Sequence, residues 1–314
     1  MTDVSAWLER AGIPPRDLYD LPSSQHFFPD QAHYRIEISG VERLSTLDAL
    51  LEEMEKEQVP VHRIISTVMG ATYLPRRELE EFARTASEAG LEVIMTPGPR
   101  PLWDIGKQVN SPEGGLSGLR MRGSDSLRHL LSDIQRCVEV GIRGFLVWDE
   151  GVLSLVNQLR AEGLLPPDVV FKVSIFAGHA NPAGARVLAQ LGANTFNPVA
   201  DLTLPMLASL RRVVSLPMDV HVLLFDSFGG HNRMYECPEI ARIASPVYFK
   251  IEPGPSVGAL YKPATPPDTH AFFIREKVRQ AAIIREIVAR EAPTLRLSPQ
   301  GPEDLALPQP LEKR

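Results

Sequence analysis

The stretch from Phe171 to Pro198, FKVSIFAGHANPAGARVLAQLGANTFNP, carries polar side chains where a purely structural strand would carry apolar ones. Lys172 and Ser174 share one parity, His179 and Asn181 follow the strand end, and Asn197 closes the next strand. A mid-strand lysine with a depressed pKa can act as a base or as a Schiff-base nucleophile, and pairing with a carboxylate is the structural reading of the same residue. His179 and His221 come from two different strand ends, and Glu37, Asp149, Glu150, Asp226 and Glu252 from others. Two imidazoles and a carboxylate, His179, His221 and Glu252, could converge on a divalent metal. No HxH or HExxH spacing supports that set, so acid-base chemistry by Lys172, His179, His221 and Glu252 is the stronger expectation.

Charge in other strands points the same way. In Tyr34 to Ser39, Arg35, Glu37 and Ser39 share a face, and Lys250 and Glu252 share one in Val247 to Glu252. If the first and last strands adjoin in a closed barrel, these charges lie inside and must pair. Lys250 is then a second candidate Schiff-base lysine, and Glu37 its carboxylate neighbour. The long segment Pro97 to Gly123 holds Arg100, Lys107, Arg120 and Arg122 without a compensating acidic cluster. Its arginines could clamp a carboxylate or phosphate, and its length suits a lid closing over substrate. His231, beside Gly229 and Gly230, reads as a mobile acid or base or as a solvated loop histidine. Asn181, Asn197, His231, Asp149 and Glu150 complete the expected substrate-binding set.

The elements that must position these groups alternate regularly. Strands are expected at 34–39, 62–67, 91–96, 142–148, 169–176, 194–197, 218–225 and 247–252. Helices are expected between them, the first opening at Ser45 as N-cap with a buried stripe of Leu47, Leu50, Leu51 and Met54. The last carries Ile274, Val278, Ala281, Ile284 and Val288 at spacings of three or four. Eight such units predict a (β/α)8 TIM-type barrel over 34–291, with a long loop after strand three. An N-terminal cap segment over 1–33 is expected to cover one barrel end, and the Pro-, Leu- and charge-rich tail 292–314 is expected to be disordered. In such barrels the strand C-termini form the active face, where the polar residues above cluster.

With 314 residues and 44% hydrophobic content, the chain can bury one barrel-sized core. A net charge of −6 argues against a general nucleic-acid or membrane-surface binder. Cys137 and Cys237 lie far apart with no CxxC, so neither a disulfide framework nor a zinc or iron-sulfur knuckle is expected, and a reducing cytoplasm fits. No run approaches the roughly 20 apolar residues of a membrane span, and no export signal is seen. GxGxxG, P-loop and GxSxG motifs are absent, which leaves nucleotide-dependent and serine-hydrolase readings without a motif.

The succession AGHANPAGARVLAQLGANTFNP, DLTLPMLASLRR and DVHVLLFDSFGGHNRMYECPEIARIASPVYFK resembles the collagenase-like peptidase family, peptidase U32, and in particular its bacterial barrel-only members. The resemblance covers roughly residues 34 to 255 and implies a TIM-type barrel with a hydrolase label. Relatives that take part in hydroxylations carry a cysteine cluster for an iron-sulfur centre, which two cysteines cannot supply, and no counterpart of the longer peptidases' extra C-terminal domain is seen. The expected partner is therefore a small anionic metabolite or short peptide rather than a large protein. A Schiff-base lyase or aldolase and a non-catalytic binding barrel remain the alternatives.

Overall fold

Eight parallel strands pair in sequence order and close on themselves: β1 (Tyr34–Ser39), β2 (Arg63–Ser66), β3 (Glu92–Met95), β4 (Gly144–Val147), β5 (Val170–Val173), β6 (Thr195–Phe196), β7 (Met218–Leu224) and β8 (Val247–Glu252). The computed structural model describes residues 4–66, 74–98, 120–256 and 266–309. After a short α1 (Ser5–Arg10), the helices α2 (Leu44–Glu57), α3 (Arg76–Glu88), α4 (Gly123–Glu139), α5 (Glu150–Ala161), α6 (Pro182–Gln190), α7 (Leu204–Val213), α8 (Cys237–Ala244) and α9 (Pro267–Glu291) follow the strands one by one. The chain is a (β/α)8 barrel. None of the described helices is long and apolar enough to cross a membrane.

Strand alternation produces two cores of different chemistry. Outward-facing Ile36, Ile38, Ile64, Val93, Phe145, Phe171, Phe196, Val220, Phe249 and Ile251 join the helix stripes in one apolar shell. Inside the barrel, Ile65, Ile94 and Leu146 on β2, β3 and β4 form a small apolar cluster, with Val170 of β5 packed against it. The interior of β5 to β8 and β1 is mostly polar, with Leu224 and Tyr248 among its apolar members. Gly144 lets β4 approach β3, since a Cβ there would stand 2.4 Å from the Val93 carbonyl oxygen.

Local signals explain most boundaries. Asp149 caps α5 by accepting from Gly151 N at 2.9 Å and Val152 N at 3.2 Å, and Asn181 caps α6 by accepting from Gly184 N at 2.9 Å. Each such cap contributes about 1 kcal/mol. The expected Ser45 cap is corrected: α2 begins at Leu44, and the Thr46 hydroxyl accepts from Glu42 N and Arg43 N instead. Cys137 and Cys237 are buried free thiols.

Both terminal segments close the N-terminal end of the barrel, opposite the strand C-termini. Phe28 packs edge-on against Tyr248 at 5.2 Å, and Ser24 N donates to Arg242 O. The expectation of a disordered tail is corrected for residues 292–309. Leu297 bridges to Tyr34, Ser298 N donates to Tyr34 O, and Gln309 N donates to Gly141 O. Its polar composition resembles that of a disordered segment, yet its polar groups find fixed partners on the barrel floor. There Arg35 departs from expectation. Rather than joining Glu37 and Lys250, its guanidinium donates to Ser298 Oγ at 2.8 Å, pairs with Asp304 at 2.6 Å and lies over the Phe28 ring. Arg35 sits opposite Tyr248, one interior layer below the Glu37 and Lys250 pair, and extends toward the barrel floor.

Candidate active site inside the barrel mouth

Glu37 on β1 is the hub of an interior charge network. Its carboxylate lies 3.1 Å from Lys172 Nζ, 3.4 Å from Lys250 Nζ and 3.2 Å from Arg63 Nη1. Asp219 on β7 is the second hub, 2.5 Å from Lys172 Nζ and 2.9 Å from Arg63 Nη1, with a short bond from the Thr195 hydroxyl. Arg63 also forms a short pair with Glu92 and stacks on the Tyr248 ring. Register explains the convergence. Glu37 stands opposite both Arg63 and Lys250, Lys172 opposite Thr195, and His221 opposite Lys250, so polar interior positions of six strands converge.

Electrostatics fix the states of these groups. Burial pushes the Glu37 carboxyl up, but Lys172, Lys250 and Arg63 outweigh it and hold the group down at about 2. Asp219 is raised by burial, and the Glu37 charge adds to that despite Lys172 and Arg63. Lys172 is lowered, chiefly by burial. Its Nζ lies at ion-pair distance from both carboxylates, whose charges oppose that lowering.

Opposite Lys250 in register, His221 Nε2 stands 3.3 Å from Glu252 Oε2. Burial, helped by the Lys250 charge, pushes the imidazole down to about 4 despite the Glu252 bond, so it is neutral at pH 7. Burial raises Glu252, but Lys250, His221 and Lys277 outweigh it, leaving an ionised carboxylate. Nε2 must therefore carry the proton that bonds Glu252, and Nδ1 is a bare acceptor with no protein partner. A bulge between His221 and Leu223 breaks the β7 ladder at this point. Such irregularities re-aim side chains beside active sites. Lys277 reaches in from α9, donating to Ser39 O at 2.7 Å, and burial lowers its ammonium to about 8 against Glu252 and Glu42.

The predicted residues thus separate into two groups. Lys172, Glu37, Lys250, His221 and Glu252 come together, and Asn197 joins them by donating to Asp219 O at 2.6 Å. His179, Glu150 and Arg120 form a second cluster at the rim, with His179 Nε2 2.8 Å from Glu150 Oε1 and Arg120 in a short pair with the same carboxylate. Asp149 and Asn181 are helix caps, Arg122 precedes α4, and His231 is half-buried beside Gly229 outside both groups. Arg100, Lys107 and most of the expected lid lie outside the described residues. The two imidazoles engage different carboxylates. Among the described residues no group of three or more His, Cys, Asp or Glu side chains stands ready to hold a metal ion.

Sequence reasoning missed Arg63, Asp219, Glu92, Thr195, Glu42 and Lys277. Asp219 was detectable, since it stands two residues before His221 and shares its face. Lys277 interrupts the apolar stripe between Ile274 and Ala281, a position where lysine is normally excluded.

No protein-family model matches the chain, and no curated protein matches it. Solved structures do. A protein from Coccidioides immitis assigned as a fructose-1,6-biphosphate aldolase is 12% identical, aligns over 83% of this chain and 92% of its own, and has a TM-score of 0.50. The 3-deoxy-D-arabino-heptulosonate 7-phosphate synthase of Thermotoga maritima is 10% identical over 85% of this chain and 90% of its own, with a TM-score of 0.49. A U32 peptidase is 20% identical over 62% of this chain and 71% of its own, with a TM-score of 0.39. At these identities the likeness shows the barrel fold alone, and the resemblance to the U32 family is supported only as far as that fold.

Proposed function

We propose that this barrel is an enzyme working by acid-base catalysis on a small molecule at its C-terminal face, with His221 as general base and Glu252 as its orienting carboxylate. The observation that carries the reading is the state of His221: neutral, bonded through Nε2–H to Glu252, and bare at Nδ1. A proton taken at Nδ1 makes an imidazolium that the ionised Glu252 stabilises. Lys250, close to Glu37 on one side and paired by register with His221 on the other, supplies positive charge for a developing oxyanion. A lyase or a hydrolase of U32 type could each begin with this proton transfer. Schiff-base chemistry at Lys172 is disfavoured, because its ammonium is fully buried between Glu37 and Asp219.

Imidazole nitrogen NMR at pH 7 tests the state directly and needs no substrate. The reading expects the Nε2–H tautomer at His221; a protonated ring or the Nδ1–H form would sink it. Mass spectrometry of short peptides, hydroxy acids and carbonyl compounds incubated with enzyme then seeks the reaction. Any turnover found should fall about 10²–10⁴-fold in His221→Asn. Borohydride trapping of a carbonyl compound on Lys250 would redirect the reading to a Schiff-base lyase.

A further inference from the structure

Four polar side-chain atoms on interior positions of the barrel are buried without a hydrogen-bond partner: Ser39 Oγ at the end of β1, Thr96 Oγ1 after β3, Asn197 Oδ1 after β6 and His221 Nδ1 within β7. Their residues are at most 1% exposed. In the charge network, Glu37 Oε1 faces Lys250 Nζ at 3.4 Å, and Lys172 Nζ faces Glu37 and Asp219, without hydrogen-bond alignment. Each unmet buried group is costly, and native proteins keep few of them. Three of them, on Ser39, Thr96 and Asn197, lie at the strand C-termini, where such folds place their chemistry.

The direction of the unmet bonds is fixed for two of the atoms. The Asn197 amide nitrogen is committed to Asp219 O, so the end left over is an acceptor. His221 spends its proton on Glu252, so Nδ1 is an acceptor as well. Phe196 is in register with Met218, which sets Asn197 opposite Asp219, and His221 follows two residues on along the same strand. Whatever binds between them must bring hydrogen-bond donors. Ser39 and Thr96 hydroxyls can donate or accept.

Charge narrows the class further. The described cations of this interior are already matched: Arg63 with Glu37, Glu92 and Asp219, Lys172 with Glu37 and Asp219, Lys250 with Glu37, and Lys277 on Ser39 O beside Glu42 and Glu252. At the rim, Arg120 is committed to Glu150. A carboxylate or phosphate would find no unmatched cation among these residues, and an ammonium donor would meet Lys250 and Lys277. A hydroxyl suits both conditions, since it donates to a bare acceptor and accepts from a lysine or a hydroxyl.

We infer that the site takes a small polyhydroxylated molecule of the polyol or sugar class, whose hydroxyls donate to Asn197 Oδ1 and His221 Nδ1 and meet Ser39 and Thr96. The inference rests on the acid-base reading above and puts a neutral ligand in place of the expected anionic partner. In the reacting complex the O–H bond at His221 breaks, its electron pair stays on oxygen, and the proton forms the Nδ1–H bond of an imidazolium held by Glu252.

The test uses the full chain with glycerol, erythritol, D-xylose, D-glucose and myo-inositol, against succinate, inorganic phosphate and dialanine, by thermal shift followed by calorimetry. Thr96→Val and Ser39→Ala remove unmet hydroxyls, so both variants should melt at or above wild type. At least one polyhydroxylated compound should bind with a sub-millimolar Kd, and binding should weaken about tenfold or more in Thr96→Val or when the contacting hydroxyl is replaced by hydrogen. Failure of all five compounds at 10 mM, stronger binding of succinate or phosphate, or affinity unchanged both in Thr96→Val and on replacing the contacting hydroxyl by hydrogen would overturn the inference. Calorimetry and the imidazole NMR separate the two claims. A correct His221 tautomer with no polyol binding defeats the ligand class alone, and a wrong tautomer defeats the acid-base reading.

Discussion

Lowering the pH from 7 to 5 should remove about 4 kcal/mol of stability through two buried histidines. His62 is fixed as a neutral ring: Nδ1 accepts from Ile36 N at 3.0 Å, and Nε2 meets the carbonyls of Ser298 and Pro299 at 3.0 and 3.1 Å. Burial drives it down to about 4, as it does His221. Because both folded values lie below the usual 6.5, the unfolded chain binds more protons between pH 6.5 and 4. Stability is therefore full above pH 6.5 and is lost as pH falls toward 4. A shift of one unit is about 1.4 kcal/mol, so each ring costs about 2 kcal/mol at pH 5 and somewhat over 3 below pH 4. Against a typical total of about 5–15 kcal/mol, this loss is large. Urea unfolding at pH 7, 6 and 5 measures it, and His62→Gln, which does not titrate, should halve the dependence. A wild type that loses less than about 1 kcal/mol, or a His62→Gln protein with the full loss, would refute the assignment of neutral buried rings.

Three further outcomes follow from the interior network and the barrel floor. Lys172→Met leaves Glu37 and Asp219 facing each other with one cation fewer, and should cost about 3–5 kcal/mol in urea unfolding; a change under 1 kcal/mol would contradict the charge-matching role. Asp304→Ala should cost about 1.5–3 kcal/mol by stripping Arg35 of its bidentate partner. An unchanged melting temperature there would show that the tail does not hold the floor. Cys137 and Cys237 are buried, and burial raises both thiols, so neither should react with a thiol reagent until the protein unfolds.

Periodicity alone determined the architecture. The two-residue alternation in Tyr34–Ser39 and Val247–Glu252, the helix stripes, and the glycine and proline punctuation are properties of neighbouring residues, and they sufficed for eight βα units and for Glu37, Lys250 and Glu252 as interior groups. What the sequence could not settle was which charge meets which. Register around the closed barrel set Arg63 opposite Glu37 and brought Asp219 to Lys172, while Arg35, of the same parity as Glu37, reached down to Asp304 in a tail whose composition suggested disorder. Likewise His179 and His221, equivalent as strand-end histidines, were assigned to different carboxylates. Pairing between residues up to 269 positions apart, as for Arg35 and Asp304, depends on closure of the barrel and leaves no local trace. Lys277 shows the same limit: its helix was plain from its spacing, but only packing of α9 beside β1 carries its ammonium to Ser39.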